Sequence, residues 1–230
     1  MNSQSRWKYA QRAEREYWSG VAVADQEIRR ILADNRASAD RLQRLIQNSP
    51  KVCLEVGVGG LGVGVIGFLS GFPVRIGIDP MPPVALRCSE ALRTLIHSLR
   101  GSVHCVVGAG ESIPVGDESV DLVVCCNVLD HVRDIDAVLT EIRRILRPGT
   151  FLFLEVDTFS ASSLIKWHCW TKRVHGDEIL VRAHPYRFLE RDVLALLRRH
   201  SFEVVHRSGR SLLSAVFGRS RPSMFLAMRR

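Results

Sequence analysis

The 230-residue sequence has no CxxC pair, no internal repeat and no apolar run long enough to span a bilayer. Its most apolar window, roughly residues 52 to 72, carries Glu55 and many glycines, and so reads as strand, turn and helix. The opening stretch MNSQSRWKYAQRAEREYW is charged throughout and lacks the apolar core of a secretion signal, so a cytoplasmic protein without a membrane span is expected. The six cysteines (Cys53, Cys88, Cys105, Cys125, Cys126 and Cys169) lack metal-ligand spacing, and three sit in apolar strand-like runs. They read as reduced core residues, which excludes a disulfide framework and a zinc site, and no metal is expected. Positive charge is in surplus, at +8. The basic residues fall in short runs such as RRIL, LLRRH and FLAMRR, which fit solvated helix faces better than a nucleic-acid groove.

With 46% hydrophobic residues and this length, one folded domain is the natural reading. Residues 5–18 and about 22–47 place apolar side chains at helical intervals (Ile28, Ile31, Leu32, then Leu42, Leu45, Ile46), and Pro50 discourages continuation. Strands then alternate with helices. Strands are predicted at 52–56, 74–78, 103–107, 120–126, 150–156, 202–207 and 223–228, and helices at about 61–70, 84–99, 134–146 and 190–200. Such interleaving implies crossover connections, hence a doubly wound α/β fold with a mainly parallel seven-stranded sheet. Residues 1–49 form a helical lid or substrate cover before a main domain at 50–230. Within that domain 158–188, which has histidines and aromatics but no clear period, is an acceptor-side cover segment.

The stretch VCLEVGVGGLGVG, residues 52–64, carries Gly57, Gly59 and Gly62 in the G-x-G-x-x-G spacing, and Asp79 ends the next strand. Glycines let a backbone approach a nucleotide-like ligand, and a strand-end acid can grip ribose hydroxyls. Glu55 argues against a dinucleotide: an acid two residues ahead of the first glycine repels a pyrophosphate and attracts an ammonium. A nicotinamide-dependent oxidoreductase would explain the glycines and Asp79, but the sequence has no Tyr-x-x-x-Lys pair.

Further along, VVGAGESIPVGDESVDLVVCCNVLDHV (106–132) and EIRRILRPGTFLFLEV (141–156) follow the glycine loop in order. With that loop they resemble the class I S-adenosylmethionine-dependent methyltransferases, particularly the small-molecule branch, over about residues 50–156. A fainter echo lies in HPYRFLERDVLALLRRHSFEVV (184–205). The resemblance implies S-adenosyl-L-methionine as cofactor and S-adenosyl-L-homocysteine as product. It assigns Glu55, Val56, Gly57 and Gly59 to the loop holding the methionine end of the cofactor, and Asp79 with Pro80 to the ribose. Met81 falls where an apolar side chain packs on adenine, Gly110 and Glu111 lie near the adenine, and Asn127 sits past the fourth strand beside the methyl-transfer centre. The third glycine of the family loop falls here on Leu61.

On that resemblance the reaction is in-line methyl transfer to an oxygen or nitrogen of a small-molecule acceptor, where proximity, alignment and exclusion of water do most of the work. A hydroxyl acceptor calls for a base, and His131 and His184 are the candidates. His131 could instead orient the helix beginning near Asp134. Trp167, His184 and Tyr186, with His131, are candidates for the acceptor pocket. Trp7, Tyr17 and Trp18 could close over the cofactor or form a docking face. Methylation of RNA or DNA is an alternative, but the fourth strand runs into NVLD and not into the Asn/Asp-Pro-Pro-aromatic sequence that grips a flipped base. A cofactor-binding partner protein without catalysis is the remaining alternative, one that Leu61 and the glycine-heavy stretch after it would suit.

Overall fold

The computed structural model describes residues 3–46, 50–165, 186–208 and 221–230. Two helices, α1 (Ser3–Val21) and α2 (Asp25–Leu45), precede strand β1 (Val52–Val56). There follow β2 (Val74–Asp79), α3 (Glu90–Arg100), β3 (His104–Val107), β4 (Val120–Cys126) and α4 (Ile135–Ile145). The chain ends with β5 (Leu146–Thr158), α5 (Glu190–Arg199), β6 (Phe202–Arg207) and β7 (Arg221–Arg229). The strands form one sheet of seven in the order β3-β2-β1-β4-β5-β7-β6. The pairs from β3 through β5 are parallel, and β7 runs antiparallel between β5 and β6.

Alternation along the strands decides what reaches each face, because successive side chains point to opposite sides of a sheet. Leu54 and Val56 of β1, Val123 and Cys125 of β4, and Leu152 and Leu154 of β5 pack with Val138, Leu139 and Ile142 of α4. Their neighbours Cys53, Leu122, Val124 and Phe153 face the other way, with Ala39 and Leu42 of α2. Glu55 lies two residues from Cys53 and Glu155 two from Phe153, so both carboxylates emerge on the α2 face. Helix α4 forms where the apolar spacing is helical: Ile135, Val138, Leu139, Ile142 and Ile145 are all buried. Asp134 caps it by accepting from Ala137 N at 3.2 Å.

Two helices differ from expectation. In place of a helix over 61–70 there is a single 3-10 turn, Val65–Phe68. Glycines at 60, 62, 64 and 67 weaken helix there, and Gly62 sits at φ +60°. Leu61 is fully buried with Ile28, Leu32, Val63 and Ile96, and so anchors the loop between α2 and α3. Helix α3 starts at Glu90 and not at 84, because the backbone N–H groups of Arg87 and Ser89 donate to Ala22 O and Asp25 Oδ1 at the α1–α2 corner, both at 2.9 Å.

Candidate functional site

A cavity of about 1110 Å³ opens over the carboxyl ends of β1, β2 and β4, beneath α1 and α2. This is where ligands sit in open α/β sheets. The glycine loop forms one wall. Gly57 and Gly59 have φ of +83° and +68°, conformations that favour glycine. Gly57 N donates to Ile78 O at 2.7 Å, which ties the end of β1 to β2. A Cβ on Gly59 would lie 2.5 Å from Trp18 Cζ2, and Trp18 also crowds Gly60, so α1 docks on this loop. Tyr17, Trp18 and Trp7 all line the cavity.

Glu55 reaches the cavity from below. It is 2% exposed and accepts from Val65 N at 3.1 Å and Ile66 N at 2.9 Å. Its carboxylate fills the space beside Gly64 where a Cβ would stand, so Gly64 is required for this approach. Burial pushes the Glu55 carboxyl up to about 7, against the pull of those two N–H donors, and nearby Asp79 adds to the rise. Asp79 ends β2 and accepts from Gly59 N and Met81 N, both at 2.9 Å, so one acid joins the loop after β1 to the turn after β2. Burial raises its carboxyl too, against the same two donors.

The remaining predicted positions lie around the same cavity: Val56, Pro80 and Met81 near Asp79, and Gly110, Glu111, Asn127 and His131 across from it. Gly110 is held small, since a Cβ would lie 2.9 Å from Val56 Cγ1. Glu111 Oε1 accepts from Arg133 N at 2.8 Å and Asp134 N at 3.3 Å. The start of α4 is thus served by Asp134 and Glu111, and the His131 ring lines the cavity with Nδ1 3.2 Å from Glu14 Oε1 of α1 and Nε2 3.6 Å from Asp130 Oδ2. Asn127 adopts φ +54° and donates its N–H to Glu155 O at 2.8 Å. Tyr186 stands outside the lining: its hydroxyl donates to Arg133 O at 2.9 Å and its ring stacks on Phe188. Trp167 and His184 lie outside the described residues. Burial pushes the Cys125 and Cys126 thiols well up, in keeping with core residues.

Sequence reasoning did not single out the far end of the cavity, lined by Ser38 and Arg41 of α2 and Glu155 of β5. The available signal was an acid inside the apolar run FLFLEV, the same pattern that marked Glu55 in VCLEV.

Residues 54–154 match the family described as methyltransferase domain. The fold is that of S-adenosylmethionine-dependent methyltransferases. The cavity suits S-adenosylmethionine: among the described residues its lining has six carboxylates (Glu14, Asp34, Glu55, Asp79, Glu111, Glu155) against two arginines, an environment for a cation and not for a pyrophosphate. The fold recurs in solved structures. A Haloferax volcanii methyltransferase in complex with the Trm112 methyltransferase activator gives a TM-score of 0.62 at 16% identity, covering 92% of this chain and 96% of that one. An S-adenosylmethionine-dependent methyltransferase from Thermotoga maritima gives 0.58 at 20% identity, covering 98% of this chain and all of that one, 100%. Geranyl diphosphate methyltransferase in complex with S-adenosylmethionine gives 0.60 at 14% identity, covering 90% of this chain and 92% of that one. Likeness at these identities is one of fold. A thiol S-methyltransferase from Homo sapiens is 50% identical over 52 residues, 22% of this chain, and the chain spans only 21% of that relative's length. No helix among the described residues is long and apolar enough to cross a membrane.

Proposed function

We propose that the protein transfers the methyl group of S-adenosylmethionine to a heteroatom of a small-molecule acceptor. The observation that carries this reading is the size and continuity of the cavity. At about 1110 Å³ it exceeds the roughly 300–1,000 Å³ of ordinary single-ligand pockets, and it runs from the glycine loop to the β5–β7 side. It has room for a second small molecule beside the cofactor.

When bound, the cofactor supplies a methyl group already activated by the positive charge of its sulfonium. The chain's residues do the rest. Gly57 and Gly59 bring backbone to the methionine end, Glu55 offers a carboxylate to its ammonium, and Asp79, with one N–H bond on each oxygen, has lone pairs left for the ribose hydroxyls. Helix α1, seated through Trp18, keeps water from the reacting centre. His131 lies just past β4 with Glu14 at its Nδ1, and takes the proton of an acceptor that keeps one near neutral pH. Oxygen and nitrogen acceptors fit this arrangement, and the partial likeness to a thiol S-methyltransferase adds sulfur.

The test has two stages. Calorimetric titration with S-adenosylhomocysteine should show micromolar binding, while NADH shows none. Transfer of a labelled methyl group is then measured over a panel of small alcohols, phenols, amines and thiols, with bulk RNA alongside. Labelling of RNA and of no small molecule would overturn the acceptor class, and cofactor binding without turnover on any acceptor would leave a binding protein.

A further inference from the structure

Among the described residues two arginines line the cavity, and they differ in the donors they have left. Arg30 commits all three guanidinium nitrogens: Nε and Nη2 donate to Glu27 and Nη1 to Asp34, at 3.0, 2.5 and 2.9 Å. Arg41 commits one. Its Nη2 donates to both oxygens of Glu155, at 3.1 Å each, and to Ser38 Oγ at 2.8 Å. Arg41 Nε and Nη1 have no protein acceptor among the described residues. Ser38 Oγ in turn donates to Glu155 Oε2 at 2.9 Å, so a carboxylate only 7% exposed is spent on holding one nitrogen of one arginine in place. Only Glu155 is buried in this pair; the Arg41 side chain is 38% exposed, so solvent screens the attraction and the pair adds little stability. It fixes a cation at a cavity wall with half its donor fork unused.

Its position is set apart from the glycine loop and Asp79. Those lie at the ends of β1 and β2, and β4, with Asn127 and His131 past it, stands between them and β5. Glu155 is on β5, opposite Cys126 of β4 and Met224 of β7. Among the described residues, Cys126 and Met224, the strand neighbours of Glu155, line the cavity there with Pro222. A guanidinium with adjacent free donors matches the two oxygens of a carboxylate, a fit an ammonium does not offer.

We propose that Arg41, held by Glu155 and Ser38, binds a carboxylate of the methyl acceptor, so that the acceptors are small organic acids with an apolar body. This inference rests on the methyl-transfer reading above. Its test compares matched pairs, octanoate with octanamide and 3-phenylpropanoate with 3-phenylpropanamide, binding to the full chain loaded with S-adenosylhomocysteine. Each acid should bind at least tenfold more tightly than its amide. Arg41→Gln should erase that ratio and leave S-adenosylhomocysteine affinity within about twofold. Should Arg41→Gln fail to fold, Arg41→Lys serves: its single ammonium satisfies Glu155 and leaves no fork, so the ratio falls in a folded protein. Equal affinities of acid and amide in the wild type, or no binding of either acid at millimolar concentration, would overturn the proposal. So would an Arg41→Gln protein that keeps the ratio but loses cofactor affinity tenfold, which would give Arg41 to the carboxylate of the cofactor. A wild type that fails to bind S-adenosylhomocysteine refutes the methyl-transfer reading instead, and the acid–amide comparison on unloaded protein is then read separately.

Discussion

The indole of Trp18 rests on the backbone of Gly59, and the N–H of that same glycine donates to Asp79 at 2.9 Å. One turn therefore holds helix α1 on its outer side and a cavity carboxylate on its inner side. Gly59→Ala strains this turn twice, through a left-handed backbone and through collision with the ring. The expected loss is about 2 to 4 kcal/mol of stability, summing a left-handed non-glycine residue and an overpacked contact. Urea unfolding measures it, and Trp18→Ala in the same background should recover part of the loss. No recovery would show that the ring is not the obstacle.

Glu55 ties stability to pH. Its carboxyl lies near 7 in the folded protein, raised first by burial, and near 4.5 when exposed. The folded protein holds this proton more tightly than the unfolded chain does. The contribution is therefore complete below about pH 4.5 and is lost as the pH rises through about 7. At about 1.4 kcal/mol per unit, the fall is up to about 3 kcal/mol. Chemical unfolding at pH 5, 6, 7 and 8 should show a slope that Glu55→Gln removes. Parallel curves for the two proteins would place the titration elsewhere.

Asp79→Ala removes the acceptor shared by Gly59 N and Met81 N and any grip on ribose hydroxyls. Calorimetry should show S-adenosylhomocysteine binding weakened at least tenfold, or about 1.4 kcal/mol. Asp79→Asn, which keeps one oxygen, should fall between. Full affinity in a folded alanine variant would take Asp79 out of the site.

His131→Ala separates chemistry from binding. With a hydroxyl acceptor, kcat should fall about 10²-fold or more while S-adenosylhomocysteine affinity stays within about twofold. With an amine acceptor that reaches the site already neutral, kcat should change little. A comparable fall for both would make His131 a packing residue.

The sheet was legible because buried parallel strands are apolar runs, and VCLEV, VDLVVCC and FLFLEV stand out as such. The turn at 61–70 was not, since Leu61, Val63, Val65 and Ile66 have helical spacing and only tertiary ties, Glu55 to Val65 and Ile66, select the tighter turn. The cofactor side was readable for a related reason: Gly57, Gly59 and Asp79 are close in sequence and conformationally special. The far side was hidden because Ser38, Arg41, Glu155 and Met224 meet only after the sheet is assembled, through partners more than a hundred residues apart, as for Ser38 and Glu155 at a separation of 117. Glu155 repeats the Leu-Glu-Val pattern of Glu55, but with no glycine after it there was nothing to mark it.

Strand β7, inserted antiparallel between β5 and β6, sets how the protein can diverge. Because the candidate cofactor positions follow β1 to β4 and the opposite end of the cavity draws on α2, β5 and β7, point changes in the latter reach a different part of the lining from Gly57–Asp79. Under the proposed methyl transfer, drift at Ser38, Arg41 or Met224 would trade one acceptor for another and leave the glycine loop and Asp79 unchanged.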